Sequence, residues 1–156
     1  MEDKLYLGVI GASSCDDITY QHAEKVGALI AESGAVLVCG GRGGVMEAAC
    51  KGAKKKNGTT VGILPDADAI NMNPFLDYRI LTGFGEARNM IIVRTIDAAV
   101  AISGSYGTLS EIAFCLKTDV PVISLNSWDI PGIVLKTDNP EKAVETAIRR
   151  AKRSYE

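Results

Sequence analysis

The sequence predicts one α/β domain of the Rossmann kind, with a single doubly wound, mainly parallel sheet and helices on both of its faces, over residues 1–156. The predicted strands are continuous apolar runs rather than alternating ones, which is typical of parallel strands buried on both faces. Amphipathic helices separate most of these strands, as right-handed crossovers require. A chain of 156 residues with 47% hydrophobic residues is sufficient for one domain with one substantial core.

The first half of the chain alternates strand and helix. Each strand is a short apolar run that ends at glycine or proline, and each helix repeats apolar residues at helical spacing. Gly34 and Asn57-Gly58 stand where a helix is expected to end. The predicted order is strand Leu5–Ile10, helix Thr19–Ser33, strand Ala35–Cys39, helix Val45–Lys56 and strand Thr60–Leu64.

The second half begins with the longest predicted loop, Asp66–Pro74. The predicted order after it is strand Tyr78–Leu81, helix Glu86–Thr95, strand Ala98–Ile102, a helix after Gly107, strand Pro121–Leu125 and a short strand at Gly132–Lys136. The last helix is expected to begin near Asn139, a good N-cap that places Pro140 at the first helical position.

Charge and composition exclude several classes of protein. The net charge of −2 argues against a duplex-binding protein, which needs a basic face, and 6% aromatic residues leave little for stacking single-stranded DNA. No apolar run is long enough to span a bilayer, and the first run is too short for a signal peptide, so a cytoplasmic location is expected. The four scattered cysteines show no metal or disulfide spacing, and no metal is predicted.

Three strand-to-helix turns carry the residues of a phosphate-binding site. Glycine lets a ligand approach the backbone, and a helix that begins just after the turn offers free N–H groups with partial positive charge. In a parallel sheet such turns meet at the carboxyl ends of the strands. Tight turns alone would also explain the glycines. The candidate residues are Gly11 and Ser13, then Gly40, Gly41, Arg42, Gly43 and Gly44, then Gly104, Ser105, Tyr106, Gly107 and Thr108.

Two glutamates occupy parallel places after the second and third turns. Glu47 lies four residues after Gly43, and Glu111 lies four residues after Gly107, which places each in the first turn of its helix. Acidic residues are favoured there by the helix dipole, and this interpretation is preferred for Glu47. For Glu111 this interpretation and a second one have equal weight. In the second, the carboxyl group orients a ligand or acts as a general acid or base.

Arginine supplies the charge that a phosphate would need. Arg88 and Asn89 open an apolar helix, and Arg88 is the first candidate for a forked contact with phosphate. Arg42, inside the second turn, is the other candidate. The apolar run Met90–Val93 indicates either a homo-oligomeric interface, in a dimer or tetramer, or burial against the chain's own sheet.

Four segments together resemble one superfamily in order and spacing: Gly40–Ala48, Gly62–Pro65, Arg88-Asn89 and Gly104–Glu111. This superfamily contains the molybdenum cofactor carrier proteins, the "lonely guy" phosphoribohydrolases and the Rossmann part of the DNA-processing protein DprA. The hydrolases carry the motif P-G-G-x-G-T-x-x-E, where this chain has serine at 103 and 105 in place of proline and the second glycine. The Arg-Asn pair and the Thr-Leu-Ser-Glu run look more like the cofactor carriers.

The resemblance implies two principal functions. A carrier-like protein would bind a phosphate-bearing nucleotide or a molybdopterin-type cofactor without turnover, and would need no cofactor to fold. A hydrolase of the lonely guy type would release the free base from a nucleoside 5′-monophosphate, with Glu111 and Arg88 as catalytic residues. Single-stranded DNA binding, as in DprA, is a third and weaker interpretation.

Overall fold

The computed structural model describes residues 3–152 of the chain. The strands are β1 (Tyr6–Gly11), β2 (Val36–Cys39), β3 (Thr59–Leu64), β4 (Tyr78–Leu81), β5 (Ala98–Ile102), β6 (Val122–Leu125) and β7 (Leu135–Thr137). The helices are α1 (Asp17–Glu32), α2 (Val45–Lys55), α3 (Arg88–Thr95), α4 (Tyr106–Lys117) and α5 (Pro140–Lys152), and a 3₁₀ turn at Gly85–Ala87 precedes α3.

The seven strands form one sheet in the order β4-β3-β2-β1-β5-β6-β7, and every neighbouring pair is parallel. The predicted Rossmann-like sheet is therefore confirmed. Strand order reverses next to β1, which has β2 on one side and β5 on the other. Ligands of open α/β sheets bind beyond the carboxyl ends of the strands at such a reversal.

Helices cover both faces of the sheet, and each face has its own apolar cluster. On one face α1, α2 and α5 bury Val26, Ala49 and Ala147 against Leu7, among other residues. On the other face α3 and α4 pack through Ile92, Val93, Ile112 and Cys115. The chain therefore leaves β1 towards one face and β5 towards the opposite face, which opens a crevice between these two strand ends.

Several element boundaries differ from the prediction, most of them by one residue, and three differences have a clear structural reason. Helix α1 begins two residues earlier than expected, because the Asp16 carboxylate accepts a hydrogen bond from the Thr19 backbone N–H at 2.8 Å. The segment predicted as the helix Glu86–Thr95 is divided into the 3₁₀ turn and α3. The strand predicted at Gly132–Lys136 begins at Leu135 instead, because Gly132 has a positive φ of 100° and belongs to a turn.

Two of the four residues of the apolar run Met90–Val93 are fully buried inside the chain. Ile92 and Val93 are fully buried against the sheet, whereas Met90 and Ile91 are half-buried. Burial within the chain therefore explains half of this run, and a homo-oligomer stays a prediction.

The four cysteines are thiols, and those of Cys39 and Cys50 lie 3.6 Å apart in the core. Within residues 3–152, no cluster of three or more His, Cys, Asp or Glu side chains is arranged to hold a metal ion. None of the helices in this range combines the length and the apolar character needed to cross a bilayer.

Candidate functional site

A cavity of about 290 Å³ lies where the strand order reverses, between the carboxyl ends of β1 and β5. Its size is near the lower end of small-molecule sites, which hold roughly 300–1,000 Å³. Ten of the predicted residues line it: Gly11, Ser13, Gly40, Arg42, Arg88, Asn89, Ser105, Gly107, Thr108 and Glu111. The other five do not line it: Gly41, Gly43, Gly44, Gly104 and Tyr106.

The N-terminus of α4 has open backbone donors. The first amide of this helix with a hydrogen bond is that of Leu109, which donates to the Ser105 carbonyl at 3.0 Å. Within residues 3–152 the N–H groups of Tyr106, Gly107 and Thr108 have no acceptor. Gly107 and Thr108 both line the cavity. Helix N-termini with free N–H groups attract anions.

The N-terminus of α1 is closed by its own sequence. The Asp16 carboxylate occupies the place that an anionic ligand would take, and Asp17 adds a second negative charge in the first turn. Ser13 and Ser14, in the turn before it, are exposed and line the cavity, so their hydroxyl groups are available to a ligand.

The Gly40–Gly44 turn packs mainly against the protein's own backbone. Gly44 has a positive φ of 59°, and a Cβ there would lie 2.5 Å from the Ala12 carbonyl oxygen. That carbonyl also accepts a hydrogen bond from the Val45 N–H at 3.0 Å, at the start of α2. The two glycine-rich turns therefore differ, because the first amide of α2 donates to the β1–α1 turn, whereas that of α4 has no acceptor within residues 3–152. Ligand binding by the Gly40–Gly44 turn stays a prediction.

The turn before α4 has its positive φ angles at residues 103 and 104, before Ser105. Ser105 is extended, with φ of −123°, whereas Ser103 and Gly104 have positive φ of 49° and 92°. A Cβ at Gly104 would lie 2.1 Å from the Thr108 hydroxyl oxygen, so glycine at 104 gives room to the Thr108 side chain. The turn is anchored from outside by the Ser127 hydroxyl, which donates to the Ser103 carbonyl at 2.6 Å.

Arg88 is buried beside the cavity and holds two strand ends together. Its Nη1 donates to the carbonyls of Gly40, at 2.6 Å, and of Ile63, while its Nε donates to the Asn89 side chain. Within residues 3–152 its Nη2 makes no hydrogen bond. Burial lowers the pKa of the Arg88 guanidinium, against the attraction of Glu111. Because arginine pKa values begin so high, the group keeps its charge at neutral pH.

Gly40 is needed for this arrangement. A Cβ at Gly40 would come within 2.7 Å of Nη1 and 2.8 Å of Nη2 of Arg88. The other predicted arginine, Arg42, is already paired, because its Nη2 donates to both carboxylate oxygens of Asp66 at 2.7–2.8 Å. Arg88 is therefore the less neutralised of the two cations that line the cavity.

Glu111 is the other buried charged group of the cavity. It is 7% exposed, and its carboxyl group makes no hydrogen bond within residues 3–152. Burial raises the pKa of Glu111 to about 8; the Arg88 charge opposes this shift and Glu86 adds to it. At neutral pH the carboxyl group is therefore largely protonated and can donate a hydrogen bond.

The position of Glu111 corrects one prediction. Because α4 begins at Tyr106, Glu111 lies in its second turn rather than its first. The helix dipole acts mainly within the first turn, so it does not explain this residue. Glu47 does lie in the first turn of α2, as predicted.

Sequence reasoning missed several residues of the cavity. Glu86 is the most informative, since it adds a second carboxylate near Arg88, and it stands two positions before that residue. Pro65 directly follows β3 and could have been found by tracing every strand to its last residue, whereas Met46 lies in the first turn of α2. The lining residues not proposed from the sequence are Val9, Ile10, Ala12, Ser14, Met46, Pro65 and Glu86.

Solved structures similar to this chain include proteins that bind the molybdenum cofactor. The molybdenum cofactor binding protein of Rippkaea orientalis has a TM-score of 0.89 and 36% identity, and the match covers 96% of this chain and 98% of that one. The molybdenum cofactor carrier protein of Chlamydomonas reinhardtii has a TM-score of 0.84 and 29% identity, over 96% and 99% of the two chains. The predicted resemblance to the carrier proteins is confirmed.

DNA processing protein A of Helicobacter pylori has a TM-score of 0.70 at 18% identity, covering 93% of this chain and 80% of that one. That likeness shows a common fold.

In sequence, an uncharacterized protein of Archaeoglobus fulgidus is 49% identical over 148 residues, which are 92% of this chain and 95% of that protein. The profile of the SLOG cluster4 family matches residues 4–153, and the chain therefore belongs to the SLOG cluster4 family.

Proposed function

We propose that this chain is a binding protein for a phosphate-bearing small molecule of the nucleotide or molybdopterin type. The observation that carries the proposal is the open N-terminus of α4, where the amides of Gly107 and Thr108 line the cavity without an acceptor inside residues 3–152. Among the helices that start at this crevice, α1 is capped by Asp16 and α2 starts against Ala12. Phosphate is the group that such an N-terminus binds best.

The side chains around α4 complement such a ligand. Thr108, Ser13 and Ser14 add hydroxyl groups, and Arg88 adds a positive charge behind the strand ends. Protonated Glu111 would donate to an oxygen or ring nitrogen of the ligand. Similarity to the molybdenum cofactor carriers, at up to 36% identity in the structures compared, supports a ligand of cofactor size.

A second candidate function is hydrolysis of a nucleoside 5′-monophosphate. Glu111 favours it, because a buried carboxylic acid with a pKa of about 8 holds a proton that it could give to a leaving base. Water would attack the anomeric carbon of the ribose as the N-glycosidic bond breaks, the Glu111 carboxylate would take up the proton that the water loses, and Arg88 would hold the ligand. Ser103 and Ser105, which replace proline and glycine of the hydrolase motif, favour the carrier over the hydrolase.

Incubation of the purified chain with AMP separates the two functions. A carrier binds phosphate-bearing ligands in native mass spectrometry and releases no adenine. A hydrolase releases adenine and ribose 5-phosphate in equal amounts, and the release disappears in Glu111→Ala. If the chain neither binds nor hydrolyses a phosphate-bearing ligand, both candidates are wrong.

A further inference from the structure

Two aromatic side chains stand together beside the start of α4. The rings of Tyr106 and Trp128 have their centroids 6.3 Å apart and are tilted by 33°. Tyr106 is the first residue of α4 and is 81% exposed. Trp128, in contact with it, is half-buried. A large ring held open to solvent beside a cavity is available to a ligand.

Trp128 is held in place by the same turn that forms the candidate site. Its Nε1 donates to the Ser105 carbonyl at 3.1 Å. The preceding Ser127 hydroxyl donates to the Ser103 carbonyl at 2.6 Å. Both ends of the Ser103–Ser105 turn are therefore tied to the segment between β6 and β7, so the indole supports the Tyr106 ring from a fixed position.

The aromatic pair lies next to the proposed phosphate site. The chain neighbours of Tyr106, Ser105 and Gly107, both line the 290 Å³ cavity, so the backbone of Tyr106 lies next to it, although Tyr106 itself is not among the lining residues. Glu111 lines the same cavity as a buried polar group without a hydrogen bond in residues 3–152. On the other side of the turn a second, shallower cavity of about 360 Å³ is lined by Ser103, Gly104 and Trp128, among others. Tyr106 lines neither cavity, but its ring is 81% exposed, so a planar group can lie against it from the solvent side.

We propose that Tyr106, supported by Trp128, stacks on a planar heterocyclic ring of the ligand whose phosphate binds at the start of α4. This inference rests on the proposed function and adds a specificity determinant to it: the ligand would be a phosphate joined to a flat, conjugated heterocycle, rather than a sugar phosphate alone. Stacking of one base on an aromatic side chain raises the affinity by about tenfold or more.

The test compares GMP with ribose 5-phosphate, because both carry the phosphate and only GMP carries the ring. Guanine is a suitable probe since it shares its amino-oxo pyrimidine ring with pterins. Dissociation constants are measured by calorimetry for the wild type, Tyr106→Ala, Tyr106→Phe and a control, Tyr6→Ala, at a tyrosine that is 40% exposed at the start of β1. Trp128 is the only tryptophan of the sequence, so its fluorescence reports directly on the supporting ring.

We expect GMP to bind the wild type at least about tenfold more tightly than ribose 5-phosphate, and to quench Trp128 emission, since stacking is worth that much. Tyr106→Ala should remove this advantage by weakening GMP binding, since ribose 5-phosphate uses backbone amides that alanine retains, whereas Tyr106→Phe and Tyr6→Ala should preserve the advantage. Equal affinities of the wild type for both ligands, or an equal loss for both in Tyr106→Ala, would overturn the stacking role while the phosphate site stands. If neither ligand binds, the proposed phosphate site is itself wrong.

Discussion

Glu111 and Arg88 lie in one cavity without forming an ion pair. The guanidinium is committed to the carbonyls of Gly40 and Ile63, so it stabilises strand ends rather than a carboxylate. The attraction that it exerts on Glu111 is smaller than the cost of burying that carboxylate, and the pKa of Glu111 therefore rises to about 8. A ligand that accepts a hydrogen bond from Glu111 would give this buried acid the partner it lacks within residues 3–152.

This pKa predicts a pH-dependent stability. The ordinary value is 4.5 and the folded value about 8, so the folded chain binds a proton that the unfolded chain has lost throughout that interval. Glu111 therefore makes the wild type less stable as the pH rises from about 5 to 8, by up to about 1.4 kcal/mol per pH unit. Glu111→Gln lacks this loss, and its stability relative to wild type should increase with pH, as measured by urea unfolding.

The control for that series is Glu47→Gln, which removes a glutamate from the first turn of α2. The effect assigned to Glu111 is the pH dependence that remains after the control is subtracted. A stability difference between Glu111→Gln and wild type that stays constant from about pH 5 to pH 8 would show that Glu111 does not carry the buried proton.

Among the elements, α1 and α2 approach each other through glycines. A Cβ at Gly27 would lie 1.8 Å from the Ala49 carbonyl oxygen, and one at Gly52 would lie 1.8 Å from that of Glu24. These are backbone atoms inside helices, so they cannot yield as a flexible side chain would. The close contact fixes α2, and with it the Gly40–Gly44 turn, relative to the β1–α1 turn.

Gly27→Ala and Gly52→Ala should each destabilise the protein by about 1–3 kcal/mol or more, because the added methyl group forces the two helices apart. Gly107→Ala is the matched control: it makes the same change in a helix, at a position where a Cβ meets nothing within 4 Å. Its effect on the unliganded protein should be neutral, or stabilising by up to about 1 kcal/mol. Thermal unfolding of the three variants checks this prediction. If Gly27→Ala and Gly52→Ala are as stable as Gly107→Ala, the close packing of α1 on α2 is contradicted.

Most elements follow from the sequence, since continuous apolar runs and helical spacing depend on local residues. Tyr78–Leu81 and Ala98–Ile102 have the predicted bounds, and the start of α5 at Pro140 follows from the Asn139 cap. The strand near Gly132 was misplaced because its apolar residues continue through a turn. The Asp16 cap could have been predicted from its spacing to Thr19.

The candidate site was less predictable than the fold. Three similar turns could be found in the sequence, but nothing local distinguishes an open helix start from a closed one. The hydrogen bond from Val45 to Ala12 engages the first amide of α2, and it joins residues from two different turns. Likewise, the burial of Glu111 depends on elements that are distant in the chain, so its protonation could not be inferred from spacing.

At the scale of the whole molecule, one edge of the sheet has an uncovered apolar face. Tyr78 pairs with Val61 and Ile80 pairs with Ile63, so the Tyr78 and Ile80 side chains lie on the same face of the sheet as Val61 and Ile63. Helices α3 and α4 cover this face near the centre of the sheet. Tyr78 is 64% exposed and Ile80 is 48% exposed. Apolar side chains grouped in this way mark interaction surfaces.

We predict that the chain forms a homo-oligomer, a dimer or tetramer, through this face of β4. Ile80→Lys should then reduce the mass measured by light scattering, to that of one chain if the wild type is a dimer. Ile18→Lys, at an exposed position in α1 on the opposite face, should leave the mass unchanged. A wild-type chain that is monomeric at micromolar concentration, or an Ile80→Lys variant with unchanged mass, would rule this interface out.

The central claim is that the N-terminus of α4, rather than that of α1 or α2, binds the phosphate. Amide NMR during a titration with ribose 5-phosphate tests this claim most directly. If the claim holds, the largest shifts occur at the backbone N–H groups of Tyr106, Gly107 and Thr108, with small changes at Gly41–Gly44. Shifts centred on Gly41–Gly44, or none at saturating ligand, would contradict it.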